Sequence, residues 1–523
     1  MEFRVTVVAS GDLVPAELRA RWAAQGYYAG QGIYQLFAAH VRSTPDRTAI
    51  IDDDGELTYA ELDSQVRRWA AGLAGLGVTA GDTVATQLPN GRHTCIADLA
   101  VAAIGGVVLP YPVGRGVKEA RSLLTRSGAV AAIVDPTHAV QTQTLQREIP
   151  GLRHVVVTSA PVLGESDFQA VAVDPDGPAR MLVSSGSESE PKLVLYSHNA
   201  LACGRGAFVQ RLIPPGGELR ALFLLPLASS FGSNGSTVTL ARHGGTLVLQ
   251  SKFDAGATLR LISRAQPTHL IGVPTMFRMM IDHPDRPATD LTSLRVVAPG
   301  GAQLDAPTAE ACRLAFDCAV VNVYGSADGV NCHTALDDPP SRVTSAGRPN
   351  PAVAEIVVAD DHLRPQPAGA VGEIIARGPM SPMRYVGNED LNARYRTPDG
   401  WVRTGDLGVF DEDGYLTVVG RRKDVVIRGG ANISPAEVEQ AISAHPAVRD
   451  VACVGVPDPL MGERLCACVV ASGTLTLEDV TTFLGAHGLD RFKHPERLLL
   501  LDSLPLNPAG KVAKDVLRAQ ATA

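Results

Sequence analysis

The chain has few cysteines, and they form no recognisable pattern. Its eight, Cys95, Cys203, Cys312, Cys318, Cys332, Cys453, Cys466 and Cys468, include no C-x-x-C pair and no spacing that recurs with histidine. No zinc site or disulfide framework is expected, and reduced thiols in a cytoplasmic protein are the simpler reading. Positive charge is not in excess either. The 47 Lys and Arg against 55 Asp and Glu leave a net charge of -8, which argues against a polyanion-binding surface and so against nucleic acid as a partner. No apolar run approaches the length of a membrane span, and the apolar residues of 1–9, around Glu2 and Arg4, are too few for the core of a secretion signal. The 13 histidines are scattered, none in an H-E-x-x-H context, and G-x-S-x-G is missing, so metalloprotease and hydrolase readings have no support. There is no internal repeat and no low-complexity tract.

What is present is enough apolar material for several cores. With 45% hydrophobic and 20% charged residues over 523 positions, the chain is globular and too long for one core; two to four domains or subdomains are expected. Thr58 to Glu61 reads as a capping box, followed by Leu62, Val66, Trp69, Leu73 and Leu76 at alternating spacings of four and three, with Gly77 as the stop. Strands predicted over 84–88, 107–109, 131–134, 219–225, 246–249 and 269–273 alternate with helical stretches, as in doubly wound α/β sheets. Beyond Gly347 the runs shorten, around 354–358 and 372–376, which suits a small β-rich subdomain over about 347–419. Residues 420–424 are glycine-led and charged without apolar periodicity and read as a linker. A separate unit over 425–523 follows. In it Ser434 caps a helix with Pro435 at its first position and Glu437 completing a box, strands lie at 451–456 and 465–470, a helix at 477–486, and a buried strand at 498–501.

The stretch around which the rest is organised is 182–194: an apolar run, then Ser184-Ser185-Gly186-Ser187-Glu188-Ser189-Glu190-Pro191-Lys192, then another apolar run. A hydroxyl- and glycine-rich turn can aim several N–H groups at one anion while a lysine adds full charge, which suits phosphate. It is not a Walker loop, because G-x-x-x-x-G-K-[ST] is missing. In order along the chain come Pro299-Gly300-Gly301-Ala302, Asn322-Val323-Tyr324-Gly325-Ser326-Ala327-Asp328, Thr404-Gly405-Asp406, Arg421 and Lys423, Arg428-Gly429-Gly430, and Pro508-Ala509-Gly510-Lys511.

Together these motifs resemble those of the adenylate-forming superfamily, which contains acyl-CoA synthetases, peptide-synthetase adenylation domains and firefly luciferase. The resemblance covers nearly the whole chain. It implies an α/β fold: a large N-terminal domain of two doubly wound sheets plus a small β subdomain (1–419), a hinge linker (420–424), and a small mobile α+β lid (425–523). It also implies that Ser185, Gly186 and Lys192 grip phosphate, that Gly301, Ala302, Tyr324 and Gly325 hold the adenine side, and that Asp406 accepts the ribose hydroxyls with Arg421 as its partner. By the same resemblance Asp328 is the Mg2+ ligand, Lys423 the hinge, and Gly429 and Gly430 the wall of the CoA pantetheine tunnel. Lys511 bridges the acyl carboxylate and the α-phosphate.

Three features depart from the pattern. Where amino-acid-activating relatives carry an aspartate for the substrate ammonium, Phe231 is followed by Gly232 and Ser233; Ala228, Ser229, Gly232, Ser233, Gly235, Gly325 and Ala327 imply instead a roomy pocket for a bulky apolar acid. Glu188 stands in the phosphate loop, where a carboxylate about 4 Å from a pyrophosphate oxygen costs around 4 kcal/mol at an effective dielectric near 20. Ala327 and Asp328 replace the usual threonine and glutamate. All the phosphate-site departures fall on the triphosphate side. The expected function is therefore an acid-thiol ligase that forms acyl-CoA from an acyl-adenylate, releasing AMP, with adenylation from ATP weak or lost and a separate adenylating enzyme as a partner. The alternatives are a conventional two-step ATP-dependent ligase, a freestanding adenylation protein that loads a carrier domain, and a non-catalytic acyl-nucleotide-binding protein.

Overall fold

The computed structural model describes residues 11–184, 191–429, 431–506 and 512–522. Two seven-stranded sheets form the large body. One runs in the order Ala319–Val320, Val296–Pro299, His269–Gly272, Arg220–Phe223, Thr246–Leu249, Thr48–Asp52, Gly55–Thr58, parallel except for its last pair. The other runs Arg384–Tyr385, Lys192–Ser197, Pro178–Ser184, Val107–Pro110, Thr83–Gln87, Ala129–Val134, His154–Val157 and is antiparallel only at its first two pairings. These parallel strands read as short, near-continuous apolar runs because both faces of such sheets are covered.

The helices Tyr59–Gly75 and Arg92–Ala103 pack together in the main core, and ten of the twelve residues of the second are buried. The capping box is formed as the spacing predicts: the Thr58 hydroxyl accepts from the Glu61 N–H and the Glu61 carboxylate from the Thr58 N–H. Inside this layer an ion pair ties the body together. Arg180 donates to Asp98 at 2.6 Å and to the Leu227 carbonyl at 3.0 Å, and Ser236 donates to the same carboxylate at 2.5 Å. Removing either buried partner would strand the other charge, a loss of about 3–5 kcal/mol, so the pair anchors the loop that begins at Pro226.

A four-stranded antiparallel sheet, Glu355–Ala359, Gly372–Arg377, Val402–Phe410 and Leu416–Arg421, is the expected β-rich part. Its last strand runs into the expected linker. Gly420 and Arg421 pair with Leu407 and Asp406, and Arg422–Asp424 form a 3₁₀ turn. Cross-strand pairing needs no apolar periodicity, which is why this charged segment read as a linker. The last unit is a five-stranded sheet with the helices Pro435–Ser443, Leu477–Ala486 and Lys514–Thr522. Ser434 caps the first of these by accepting from the Glu437 N–H, but the Glu437 carboxylate bonds Lys493 at 2.6 Å, so the predicted box is not closed. Arg497–Leu500 is an outer strand parallel to Gly462–Ala471 and not the buried strand expected, because it pairs on one side only and leaves Leu500 49% exposed. No helix among the described residues is long and apolar enough to cross a membrane.

One buried histidine gives the fold a pH signature. His198 is 1% exposed and its Nδ1 accepts from the Ile33 N–H at 3.2 Å. Burial, only partly opposed by Asp174, lowers its pKa from 6.5 to about 4. Below pH 6.5 the unfolded chain therefore binds the proton more readily than the folded one, so stability falls as pH drops through 6.5 towards 4, by on the order of 3 kcal/mol. In urea titrations the stability advantage of the wild type over His198→Gln should shrink between pH 7 and pH 5. A constant gap would place the acid sensitivity elsewhere.

Candidate functional site

The site begins with the Thr404-Gly405-Asp406 turn inside the strand Val402–Phe410. Gly405 has φ +72°, where a side chain is strained, and the Thr404 hydroxyl accepts from the Asp406 N–H at 3.0 Å while donating to the Ile374 carbonyl at 2.7 Å. The carboxylate of Asp406 is thereby fixed and 6% exposed. Arg421, directly opposite in the ladder, approaches Oδ1 to 3.1 Å, and the Tyr324 hydroxyl donates to Oδ2 at 2.8 Å. Burial first, and then Asp406, holds the Tyr324 phenol well above its usual pKa, so it remains a neutral donor. A carboxylate offers two acceptor oxygens, which suits a vicinal diol.

Tyr324 and Gly325 lie on a short hairpin, Val323–Gly325 against Asn331–His333. The turn after Val296–Pro299 approaches it closely. A Cβ on Gly300 would lie 2.8 Å from both the Val323 carbonyl oxygen and the Phe231 ring. Gly301 has φ +79°. These are the backbone constraints behind the glycines read in the sequence.

Lys192 and Asp328 meet across the same cavity. Lys192 Nζ is 3.5 Å from Asp328 Oδ1 and 4.0 Å from the centroid of the Tyr395 ring, and the Tyr385 hydroxyl donates to the same Oδ1 at 2.8 Å. Among the described residues no group of three or more His, Cys, Asp or Glu is placed to hold a metal. A magnesium ion at Asp328 would thus take most of its ligands from phosphate and water, as Mg2+ commonly does.

Lys192, Asp328, Thr404, Asp406, Arg421 and Lys423 line a cavity of about 460 Å³. Phe208, Leu225, Pro226, Phe231, Val330 and Met380 give the same cavity a largely apolar part, the chamber, and Arg205 is also in its lining. Ala228, Ser229, Gly325 and Ala327 line this cavity, whereas Gly232 and Ser233 do not. A Cβ on Gly232 would lie 2.0 Å from the Pro226 carbonyl oxygen, and Ser233, fully buried, donates to the Ser230 carbonyl at 2.6 Å. Gly235 packs against Leu227. Their small size serves the tight turn behind the wall and not the space in front of it.

Sequence reasoning missed several residues. Glu373 receives Arg403 at 2.5 Å, Arg422 at 3.2 Å and the Gly405 N–H at 3.3 Å, which couples the Thr404–Asp406 turn to the 3₁₀ segment containing Lys423. Arg115 and Arg394 also line the cavity. Arg205 and Asn234 flank π-helical segments, Asn199–Arg205 and Gly235–Arg242. Such segments are rare and concentrate at functional sites, but nothing in a sequence marks them.

A second cavity, of about 810 Å³, lies between the body and the last unit and is lined by Gly301, Ala302, Tyr324, Arg421, Pro435 and Lys514. Arg278 approaches Asp450 to 3.8 Å across it, and Ser434 donates to the Val419 carbonyl. Gly429 lines neither cavity. It sits at a turn with φ +56°, its N–H donating to the Met461 carbonyl at 2.8 Å. Ser185, Gly186, Glu188, Gly430 and Lys511 lie outside the described residues.

The family model for the AMP-binding enzyme matches residues 37–386, and that for the AMP-binding enzyme C-terminal domain matches 437–511. The chain belongs to the AMP-binding enzymes, the adenylate-forming superfamily whose motifs it carries. Triostin synthetase I of Streptomyces triostinicus is 36% identical over 97% of this chain and 98% of its own length. The 2-hydroxy-7-methoxy-5-methyl-1-naphthoate–CoA ligase of Streptomyces carzinostaticus is 34% identical over 97% and 96%. Among solved structures, the amide bond synthetase McbA from Marinactinospora thermotolerans superposes with a TM-score of 0.83 at 29% identity, covering 93% of this chain and 99% of that one. The family thus includes ligases with different acyl acceptors.

Proposed function

We propose that the protein is an AMP-forming ligase that transfers a bulky carboxylic acid from its adenylate to the thiol of CoA. The observation that carries this reading is a single cavity whose lining includes both Asp406 and Arg421 of the cradle and Phe208, Phe231 and Met380 of the chamber. An acyl-adenylate has this shape, with a polar nucleoside joined through one phosphate to an acyl body. The naphthoate–CoA ligase handles, by its name, a bulky aromatic acid and CoA, which supports both the chamber and the acceptor. In the transfer the CoA sulfur attacks the carbonyl carbon, the bond from that carbon to the phosphate oxygen breaks, and AMP leaves with its electron pair. The thiol proton goes to water.

In this reading Asp406 holds the ribose, Tyr324, Gly301 and Ala302 the base, and Lys192 the phosphate. Gly429 and Gly430 serve the pantetheine arm, and Lys423 is the hinge. Adenylation from ATP is weak. Ala327 lines the cavity without a hydroxyl to offer a phosphate, and Asp328 is already engaged by Tyr385 and Lys192. A conventional two-step ligase is the second reading, favoured by the 94% burial of Lys192 in the lining of that cavity.

One set of reactions separates them. With a supplied aryl or bicyclic acyl-adenylate, CoA should be acylated and AMP released, whereas the same acid with ATP, Mg2+ and CoA should give little product and little pyrophosphate exchange. Exchange as fast as thioester formation would establish the two-step ligase. Product only with an amine or a carrier-bound thiol would reassign the acceptor.

A further inference from the structure

One cation in the acyl chamber has no anion among the described residues. Arg205 ends the π-helical turn Asn199–Arg205, is 7% exposed, and lines the 460 Å³ cavity beside Phe208, Ser230 and Asn234. Among the described residues its shortest hydrogen bond runs from Nη2 to the Ser230 carbonyl at 2.6 Å. The others, to the Ser230 hydroxyl at 3.4 Å and the Asn234 side-chain carbonyl at 3.5 Å, are at the outer limit of a hydrogen bond. The Tyr196 ring lies 5.7 Å from the guanidinium. Every one of these partners is neutral, and among the described residues no carboxylate forms an ion pair with Arg205.

The contrast with Arg180 is direct, since that residue is fully buried but has Asp98 at 2.6 Å. A guanidinium cannot shed its proton to escape burial, and burial pulls the Arg205 pKa down from its usual value. Buried charges are ordinarily paired. Holding the Ser230 carbonyl requires only one of five N–H donors, so that role leaves the charge and most of the donors unexplained. A planar fork of poorly used donors in an otherwise apolar chamber matches an oxyanion.

We propose that Arg205 determines substrate specificity by binding an oxyanion, a second carboxylate or a phenolate, carried on the acyl body away from the activated carboxyl group. This rests on the reading of the chamber as the acyl site and narrows it: the acid is bulky and mostly apolar, with one anionic oxygen.

The test uses one aryl scaffold in three forms: plain, phenol-bearing and carrying a second carboxylate. Thioester formation is measured from the three adenylates, and the binding of the three free acids is measured by calorimetry. The wild type should favour one oxyanion form over the plain one by about tenfold or more, the yield of a charge-assisted hydrogen bond. The favoured form identifies the anion. Arg205→Met should bring the ratio to about one, and Arg205→Lys should retain part of it. A wild-type ratio near one, or an undiminished ratio in Arg205→Met, overturns the proposal, and the wild-type ratio decides even if the variants fold poorly. Absence of thioester from all three adenylates would count against the CoA ligase reading alone, because the binding ratio still reports on Arg205.

Discussion

Asp406→Ala is expected to weaken AMP and acyl-adenylate binding by roughly two to three orders of magnitude. The substitution removes both acceptor oxygens offered to the ribose. It also strands the Tyr324 hydroxyl, which now donates to Oδ2 at 2.8 Å, while Arg421, 49% exposed along its side chain, can turn to water. Breaking a buried, hydrogen-bonded charge costs about 3–5 kcal/mol, and each 1.4 kcal/mol is a decade of affinity. Asp406→Asn keeps the shape and one acceptor and should fall between. Calorimetric titration with AMP, beside an unfolding curve for each variant, separates lost binding from lost stability. AMP affinity within about threefold of wild type in Asp406→Ala would show that the ribose is held elsewhere.

The second large effect concerns Lys423. It sits in the 3₁₀ turn Arg422–Asp424 and lines the cavity, and its neighbour Arg422 bonds Asp361 at 2.7 Å and Glu373 at 3.2 Å. Proline fixes φ near −65°, which a 3₁₀ turn accepts, and it restricts the residue before it. Lys423→Pro should therefore freeze one arrangement of this segment and block exchange with any other. If the last unit must turn on this segment between adenylate chemistry and thiol transfer, only one partial reaction will survive, and multiple-turnover thioester formation should fall by roughly a hundredfold, as for a lost conformational step. Lys423→Ala removes the charge and leaves the backbone free, so it should be much milder. Equal losses in the two variants would make the side chain, and not the hinge, responsible.

Local rules made much of the fold legible. The Thr58 capping box, the strand Thr246–Leu249 and the helix Leu477–Ala486 follow from propensity and periodicity within a dozen residues, and the structure places them as read. The order of the motifs was likewise enough for the family, because each motif is a short backbone requirement: Gly405 at φ +72°, or Gly300 beneath the Val323 carbonyl. Pairing between strands was less legible. Gly420 and Arg421 looked like a linker because a ladder is a relation between segments, and Asp406 supplies the other half.

The sequence by itself determined the class of the protein, because its motifs stand in a fixed order, and through that resemblance it implied the two large sheets and named the candidate nucleotide cradle. Only the tertiary structure decided which small residues line the cavity. Ala228 and Ser229 do, whereas Gly232 and Ser233 are consumed by the turn behind it, and nothing in their size distinguishes the two pairs. It also decided which arginine is paired: Arg180 meets Asp98, 82 positions away, whereas among the described residues Arg205 meets only the neutral Ser230, Asn234 and Tyr196. Whether a buried charge finds a counter-charge depends on side chains brought together from distant parts of the chain, and no local reading contains that distance.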